Sequence, residues 1–158
     1  EDGIRYPLWS RGLGDVYKRQ MPDRTSLELK KDGFFITGDL GKFNTDGYLS
    51  IVGREKDLII SGGYNVYPKE VEDVLNEIDQ IDETAVFGVP DNDFGERVVA
   101  AIVMTGIEEF SQNKAEIFVD TKLARYKQPR EYIVMQTLPR NTMGKVQKNQ
   151  LRKMFQPK

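Results

Sequence analysis

Three side chains in this sequence have the chemistry to hold a phosphorylated substrate. Asp39 ends a Thr-Gly-Asp segment, where a carboxylate can accept hydrogen bonds from two vicinal hydroxyls of a ribose. Arg54 offers a planar set of donors that suits ribose oxygens or a phosphate. Lys145 ends a polar, turn-rich loop, from which a lysine can reach a carboxylate and a phosphate together and neutralise charge as an oxyanion attacks phosphorus. Each residue also has an ordinary interpretation: a turn-closing Asp, a charged surface turn and an exposed lysine.

A pair of glycines, Gly62 and Gly63, is a second kind of candidate site. Paired glycines permit positive φ angles and let a ligand or another chain approach the backbone closely. They do not form the phosphate-binding pattern G-x-x-x-x-G-K-[ST]. The Gly144-Lys145 pair does not fit that pattern either, because Val146 follows it.

The composition restricts which reactions these residues can support. The 158 residues are 39% hydrophobic and 30% charged, which excludes collagen-like and largely disordered chains and indicates one domain, or one domain plus part of another. The sequence has neither Cys nor His, so it excludes disulfide scaffolds, zinc fingers and mechanisms with a Cys nucleophile or a His base. Catalysis would use Lys, Arg, Asp, Glu, Tyr or backbone groups, and we expect no metal-ligating residues.

Charge is unevenly distributed along the chain. Residues 122–158 contain ten Lys or Arg and one Glu, a balance of +9, so residues 1–121 carry −11 and the whole chain −2. A basic segment on an acidic body is typical of proteins that bind nucleic acid, an anionic membrane surface or a small phosphorylated ligand. A solvated helical face explains the same charge without any partner.

Neither a membrane span nor a secretory leader is expected. No window approaches 18 consecutive apolar residues, and the start lacks a basic-then-apolar pattern. We therefore expect a cytoplasmic protein, with the mitochondrial matrix as an alternative.

The segment 1–20 shows no clear periodicity and differs in character from the chain after it. Asp15–Gln20 can be encoded by GAT GTG TAT AAG AGA CAG, which resembles the mosaic-end adapter of transposase-based sequencing libraries. We interpret 1–20 as a non-native, adapter-derived extension. A real N-terminal extension is the alternative.

Alternating strands and helices must position the candidate residues. Two apolar runs, 34–36 and 48–52, flank an Asn-Thr-Asp-Gly turn and predict a β-hairpin whose first strand ends at 37–39. Further along, turn signals predict a turn at 61–65, followed by a helix entered through Pro68 with apolar residues at Val71, Val74, Leu75 and Ile78. Residues 84–89 and 98–104 are predicted to form buried strands. The rest of the chain predicts a helix from about 112 to 125 capped by Ser111, a strand at 131–135 and a basic helix at 146–155. This alternation predicts an α+β or α/β unit preceded by a separate hairpin.

In order and spacing, three segments resemble the late motifs of the acyl-adenylate-forming superfamily, which includes acyl-CoA synthetases, luciferases and the adenylation domains of peptide synthetases. The segments are Thr37–Asp39, Gly53–Glu72 and Pro139–Lys145. The resemblance extends over about 21–155. It implies that 21–55 is the end of a large AMP-binding domain and that 56–158 is the small C-terminal lid domain, an α+β unit with a mixed sheet and flanking helices.

The resemblance also implies roles for the candidate residues. In the family, the large domain holds the acyl pocket and the phosphate loop, and the small domain rotates between an adenylating and a thioester-forming pose. Asp39 and Arg54 would bind the ribose hydroxyls of ATP. Lys145 would be the adenylation lysine.

Two further roles concern the change of pose. Lys56 would occupy the hinge, and Gly62 and Gly63 would line the pantetheine path of coenzyme A. ATP with Mg²⁺, bound mainly by the large domain, and coenzyme A as co-substrate are the implied cofactors.

The amino-acid sequence of residues 61–72 and 141–149 is similar to that of malonyl-CoA synthetases, which favours malonate as the carboxylate. Because acyl choice is made by a pocket of the large domain, another acyl-CoA synthetase or a carrier-protein adenylation domain is the alternative. A stand-alone basic nucleic-acid-binding module is a distant alternative. Since the chain has no phosphate loop, we expect it to be inactive alone.

Overall fold

The computed structural model describes residues 36–106 and 110–155. The chain divides into two compact units, 1–38 and 39–158, and the described helices and strands lie in the second. The strands are β1 Asp39–Phe43, β2 Leu49–Arg54, β3 Ile59–Ser61, β4 Tyr64–Val66, β5 Ile81–Asp91, β6 Gly95–Met104 and β7 Glu131–Met135. The helices are α1 Pro68–Leu75, α2 Gln112–Asp120 and α3 Lys148–Phe155, with 3₁₀ turns at Glu55–Asp57 and Arg125–Lys127. The domain boundaries at 20/21 and 55/56 and the adapter origin of 1–20 stay predictions.

β1 and β2 form the predicted hairpin, but the position predicted for its first strand was wrong. β1 begins at Asp39 rather than ending there, because Asp39 pairs with Arg54 at the open end of the hairpin. The Asn44 side chain closes the turn by accepting two backbone N–H groups, and the register follows from the turn outward. Residues 36–38 therefore precede the strand, and 34–35 lie outside the described residues.

The main sheet is mixed. Its strand order is β4-β3-β6-β5, and β7 also pairs with β6. β5 and β6 are antiparallel over their whole length, whereas β7 runs parallel to β6 from Val99 to Val103. β3 meets β6 at Gly95, so β3 and β7 pair with β6 at different points along its length. This is the expected α+β class with a mixed sheet and flanking helices.

The predicted turn at 61–65 contains a strand that sequence analysis missed. Gly62 and Gly63 have φ angles of 58° and 82° and join β3 to β4 as a two-residue hairpin turn. β4 spans only three residues, too few to show alternation, and it is defined by its pairing with β3. Gly62 donates its N–H to the Phe94 carbonyl at 2.8 Å, which ties the turn to the start of β6.

The core lies on both faces of the sheet, because alternate side chains of β5 and β6 point to opposite sides. One face packs against α1 and α2 through Val71, Leu75 and Val119. The other face is covered by Leu138 and by α3, whose Leu151 is fully buried. The prediction that β5 and β6 are buried strands is confirmed, although both are longer than predicted.

The helix positions were predicted better than their ends. α1 starts at Pro68 as expected but stops at Leu75, and Ile78 packs on the core from beyond the helix. α2 ends at Asp120 rather than 125, and Ser111 stands at its N-cap without a side-chain hydrogen bond. α3 begins at Lys148 rather than 146, because residue 146 forms a β-bridge with residue 140 instead.

The buried phenol of Tyr132 on β7 predicts a change in stability at alkaline pH. Burial, with a smaller contribution from the negative charge of Glu116, raises the pKa of Tyr132 from 10.0 to about 12. The folded state therefore holds this proton more tightly than the unfolded chain, so the contribution is complete below pH 10 and is lost as pH rises to about 12. In urea denaturation at several pH values, Tyr132→Phe should fall less steeply in stability than the parent above pH 10. Tyr126→Phe, at an exposed tyrosine, should follow the parent. Identical curves for the parent and Tyr132→Phe would contradict this assignment.

Candidate functional site

Asp39 and Arg54, proposed separately from the sequence, face each other across the open end of the hairpin. Arg54 Nε lies 3.1 Å from Asp39 Oδ1. The contact follows from the register, which pairs the first residue of β1 with the last of β2. The structure thus brings together a carboxylate that accepts hydrogen bonds and a guanidinium that orients it.

A cleft of about 380 Å³ opens beside this pair. Its walls are the end of the hairpin and helix α1. The lining residues are Asp39, Ile51, Gly53, Arg54, Asp57, Pro68, Lys69, Glu72 and Lys148. Ligand pockets typically measure about 300–1,000 Å³, so the cleft has room for a nucleoside-sized group. The hydrogen bond that Lys69 donates to Asp73, partly opposed by burial, raises the pKa of Lys69, so this side chain stays protonated.

Glu72 organises the inner wall of the cleft and was not singled out from the sequence. Its Oε1 accepts a hydrogen bond from the Val86 backbone N–H at 2.8 Å and from Lys148 Nζ at 2.6 Å. The side chains of Glu72 and Lys148 are only 13% and 18% exposed. Glu72 therefore joins α1, β5 and α3 at one point. The only sequence signal was a carboxylate on an amphipathic helix, which did not distinguish it from its neighbours.

The loop that carries Lys145 is tightly closed. Asn141 Oδ1 accepts the backbone N–H groups of Met143 at 3.0 Å and Lys145 at 2.9 Å, and the Asn141 N–H donates to the Lys145 carbonyl at 3.0 Å. Gly144 has a φ of 77°, which only glycine adopts without strain. The lysine side chain is exposed, and no described acidic group lies within ion-pair distance of it. Lys145 is thus displayed on a fixed loop, and it does not line the cleft beside Asp39.

Lys56 is exposed in the 3₁₀ turn that joins the hairpin to the main sheet. The carboxylate of the neighbouring Asp57 forms an ion pair with Arg152 of α3, with 3.3 Å between Asp57 Oδ1 and Arg152 Nη2. Gly62 and Gly63 lie at the exposed tip of β3 and β4. The structure therefore places the proposed hinge residue in the connection between two sheets and the glycine pair at a separate turn.

The basic segment is partly neutralised by the acidic body in the part of the chain described. Five of its cations form ion pairs with acidic residues nearer the start of the chain: Lys122–Glu77, Lys127–Glu70, Arg140–Glu83, Lys148–Glu72 and Arg152–Asp57. Most of these pairs are partly exposed, so each contributes little stability individually. They do reduce the positive charge that a polyanion would meet, which argues against the nucleic-acid alternative.

None of the described helices is long and apolar enough to cross a membrane. Within 36–106 and 110–155, no three acidic side chains come together in a way that could hold a metal ion.

Comparison with known proteins places this geometry in a family. Residues 70–145 match the model of the AMP-binding enzyme C-terminal domain. The chain is 44% identical over 143 residues to the long-chain-fatty-acid–CoA ligase FadD13 of Mycobacterium tuberculosis, covering 90% of this chain and 28% of that protein. It is 43% identical over 121 residues to the 2-succinylbenzoate–CoA ligase of Listeria monocytogenes, covering 77% of this chain and 26% of that protein.

Solved structures agree with the sequence relatives. ATP-bound MatB from Rhodopseudomonas palustris is 48% identical and superposes with a TM-score of 0.78, covering 86% of this chain and 27% of that chain. The present chain thus spans about a quarter of the length of the relatives it matches. Residues 70–145 therefore belong to the family of AMP-binding enzyme C-terminal domains.

Proposed function

We propose that this chain is the C-terminal part of an AMP-forming acyl-CoA synthetase. Such an enzyme converts a carboxylate and ATP to an acyl-adenylate and then transfers the acyl group to coenzyme A. The observation that carries the proposal is Lys145, exposed, without a described acidic partner, and held on a closed loop in a domain of this family. Its cytoplasmic location stays a prediction.

In the adenylation step, Lys145 Nζ lies against the reacting carboxylate and the α-phosphate. Negative charge builds up on the phosphate oxygens as the carboxylate oxygen attacks phosphorus and pyrophosphate leaves. A positioned ammonium group stabilises that charge most in the transition state, which lowers the barrier. The absence of an ion pair with any described acidic residue suits this role, because a lysine already neutralised by a carboxylate would have to break that pair first.

Asp39 and Arg54 hold the nucleotide by its ribose. One oxygen of Asp39 is fixed by Arg54 Nε, which orients the carboxylate toward a diol. Arg54 is itself half exposed, so its other donors can bond ribose oxygens. The adjoining cleft accommodates a group of nucleoside size.

Coenzyme A brings its own thiol, so thioester formation needs no Cys or His from the protein. Gly62 and Gly63 are exposed and lack side chains, which leaves room for an extended pantetheine beside the turn. The surroundings of Gly63 are open, since no described atom beyond its chain neighbours lies within 4 Å of the position that a Cβ would take there. A side chain would nevertheless be strained at its φ of 82°. Lys56 serves as the pivot between the two poses.

The apolar face of the hairpin supports the proposal that a larger domain completes the enzyme. Phe43 lies opposite Leu49, and Ile51 lies on the same face two residues along β2. These side chains are 68%, 61% and 68% exposed. A contiguous exposed apolar patch is typical of a surface that another unit covers. The remaining domain would supply the acyl pocket, the phosphate loop and the Mg²⁺ that accompanies ATP.

Malonate is the carboxylate that we propose. The support is the amino-acid sequence of residues 61–72 and 141–149, which is similar to that of malonyl-CoA synthetases.

The test uses the complete enzyme expressed from the source gene, beside the 158-residue chain. The complete enzyme should catalyse ATP–pyrophosphate exchange that depends on malonate and should release malonyl-CoA when coenzyme A is added. The 158-residue chain should give no exchange. Acetate, a long-chain fatty acid and 2-succinylbenzoate serve as competing carboxylates, and a carrier protein serves as the competing thiol acceptor.

Each outcome has one meaning. Exchange with another carboxylate but not with malonate would overturn malonate as the proposed substrate and leave the proposed adenylation reaction supported. Transfer of the acyl group to the carrier protein instead of coenzyme A would overturn the proposal that the enzyme is an acyl-CoA synthetase. Exchange by the 158-residue chain alone would overturn the proposal that a further domain is needed.

A further inference from the structure

The Lys145 loop is closed by a second side chain besides Asn141. Arg140, at the start of the loop, donates from Nη1 to the Gly144 carbonyl at 2.6 Å. Its Nη2 lies 2.5 Å from Glu83 Oε2 on β5. The backbone of Arg140 also bridges to Val146 on the far side of the loop. One guanidinium therefore connects the loop to the main sheet.

These contacts converge on a single peptide unit, the one between Gly144 and Lys145. Its carbonyl accepts from Arg140 and its N–H donates to Asn141 Oδ1. A peptide unit is planar, so fixing both polar atoms fixes the plane and the direction in which the lysine leaves the backbone. Gly144 has no side chain to favour this plane, because glycine populates positive and negative φ about equally.

The Arg140–Glu83 pair contributes little to the stability of the fold. The two side chains are 44% and 32% exposed, and ion pairs at such positions are weak. What the pair does supply is orientation, because the carboxylate on β5 holds one end of the guanidinium while the other end donates to the loop carbonyl. Its value therefore lies in geometry.

We propose that Arg140, held by Glu83, is a positioning residue for Lys145. This inference rests on the proposed function, in which Lys145 stabilises charge at phosphorus. Arg140 does not touch the reacting atoms itself. Without it, the Gly144–Lys145 peptide plane turns, and the lysine spends less time where the phosphate and carboxylate meet. A displacement of about 1 Å in such a group can cost about 10²-fold in rate.

The first experiment measures the loop in the 158-residue chain, independently of any activity. Hydrogen–deuterium exchange of the Lys145 amide should quicken several-fold in Arg140→Gln and less in Glu83→Gln. The urea midpoint should change little in both. Lys122→Gln removes another partly exposed ion pair, with Glu77, and should leave the Lys145 amide unchanged. Unchanged exchange of the Lys145 amide in Arg140→Gln would overturn the proposal that Arg140 fixes this loop.

The second experiment separates positioning from general damage in the complete enzyme. Arg140→Gln should lower the kcat of adenylation by about 10–100-fold with little change in the KM for ATP. Thioester formation from a supplied acyl-adenylate should be unaffected, and Arg140→Lys should recover part of the loss. Equal loss in both half-reactions would indicate a merely structural role and overturn the inference.

Failure of the proposed function gives a different result. If the unsubstituted complete enzyme adenylates no carboxylate, the proposed function falls and the catalytic role of Arg140 falls with it. The exchange experiment still decides whether Arg140 fixes the loop. The two failures are therefore distinguishable.

Discussion

Lys145→Ala in the complete enzyme should lower the rate of acyl-adenylate formation by about 10²–10³-fold, the usual effect of removing one preorganised group that stabilises charge in the transition state. The side chain is exposed and has no described acidic partner, so its loss should leave the fold and its stability nearly unchanged. The measurement is malonate-dependent ATP–pyrophosphate exchange. Thermal unfolding should be measured in parallel.

The second half-reaction provides the control for Lys145. Thioester formation from a supplied acyl-adenylate should continue at close to the parent rate, because the bond to phosphorus has already formed. Lys153→Ala serves as the matched variant, since this exposed lysine on α3 also has no described ion-pair partner. It should leave both half-reactions unchanged. A similar loss of both half-reactions in Lys145→Ala would contradict the role assigned to this residue.

Glu72→Ala should produce the largest loss of stability among single changes at the cleft. The substitution leaves Lys148 and the Val86 N–H without their shared acceptor, and both partners lie in a mostly buried setting. Breaking a buried ion pair by removing one partner costs about 3–5 kcal/mol, and the residual exposure here places the expected loss at about 3 kcal/mol. Urea denaturation of the 158-residue chain measures it.

Two variants test the cause of that loss. Glu77→Ala removes a carboxylate that pairs with Lys122 at a more exposed position, and it should cost less than about 1 kcal/mol. Glu72→Gln keeps an acceptor for the Val86 N–H but removes the charge, so its cost should be intermediate. A Glu72→Ala stability equal to that of Glu77→Ala would refute the proposed anchoring of three elements by Glu72.

Local patterns predicted much of the fold. β7 was predicted at 131–135 and observed there, because a run of β-forming residues follows a proline-containing turn. The start of α1 at Pro68 was likewise readable from the preference of proline for the first helical turn. The end of α2 was not, since Thr121 bonds the Phe118 carbonyl through its hydroxyl and closes the helix before the apolar pattern ends.

Single candidate residues could be named from the sequence, but their arrangement could not. Asp39 and Arg54 carry recognisable chemistry, yet their contact depends on hairpin register, which was misplaced at the first strand. Glu72 and Lys148 are 76 positions apart, so no local pattern could pair them. Arg140 was visible only as part of a turn-rich loop, and its partner Glu83 lies on a distant strand. Non-local contacts of this kind follow from the folded topology alone.

The two faces of the sheet also differ in the order in which they can form. β5 and β6 are joined by a short turn, so their pairing closes only a small loop, whereas parallel β7 requires the crossover that includes α2. Leu151 and Phe155 of α3 must then pack on the face of the sheet opposite α1 and α2. There the ring centroids of Phe155 and Phe87 lie 6.3 Å apart. Contacts of large sequence separation form late, because their loop-closure entropy must be overcome first. The lysine loop lies between Leu138 and Leu151, in that late-forming part, so a newly made chain would complete its sheet before it could present Lys145.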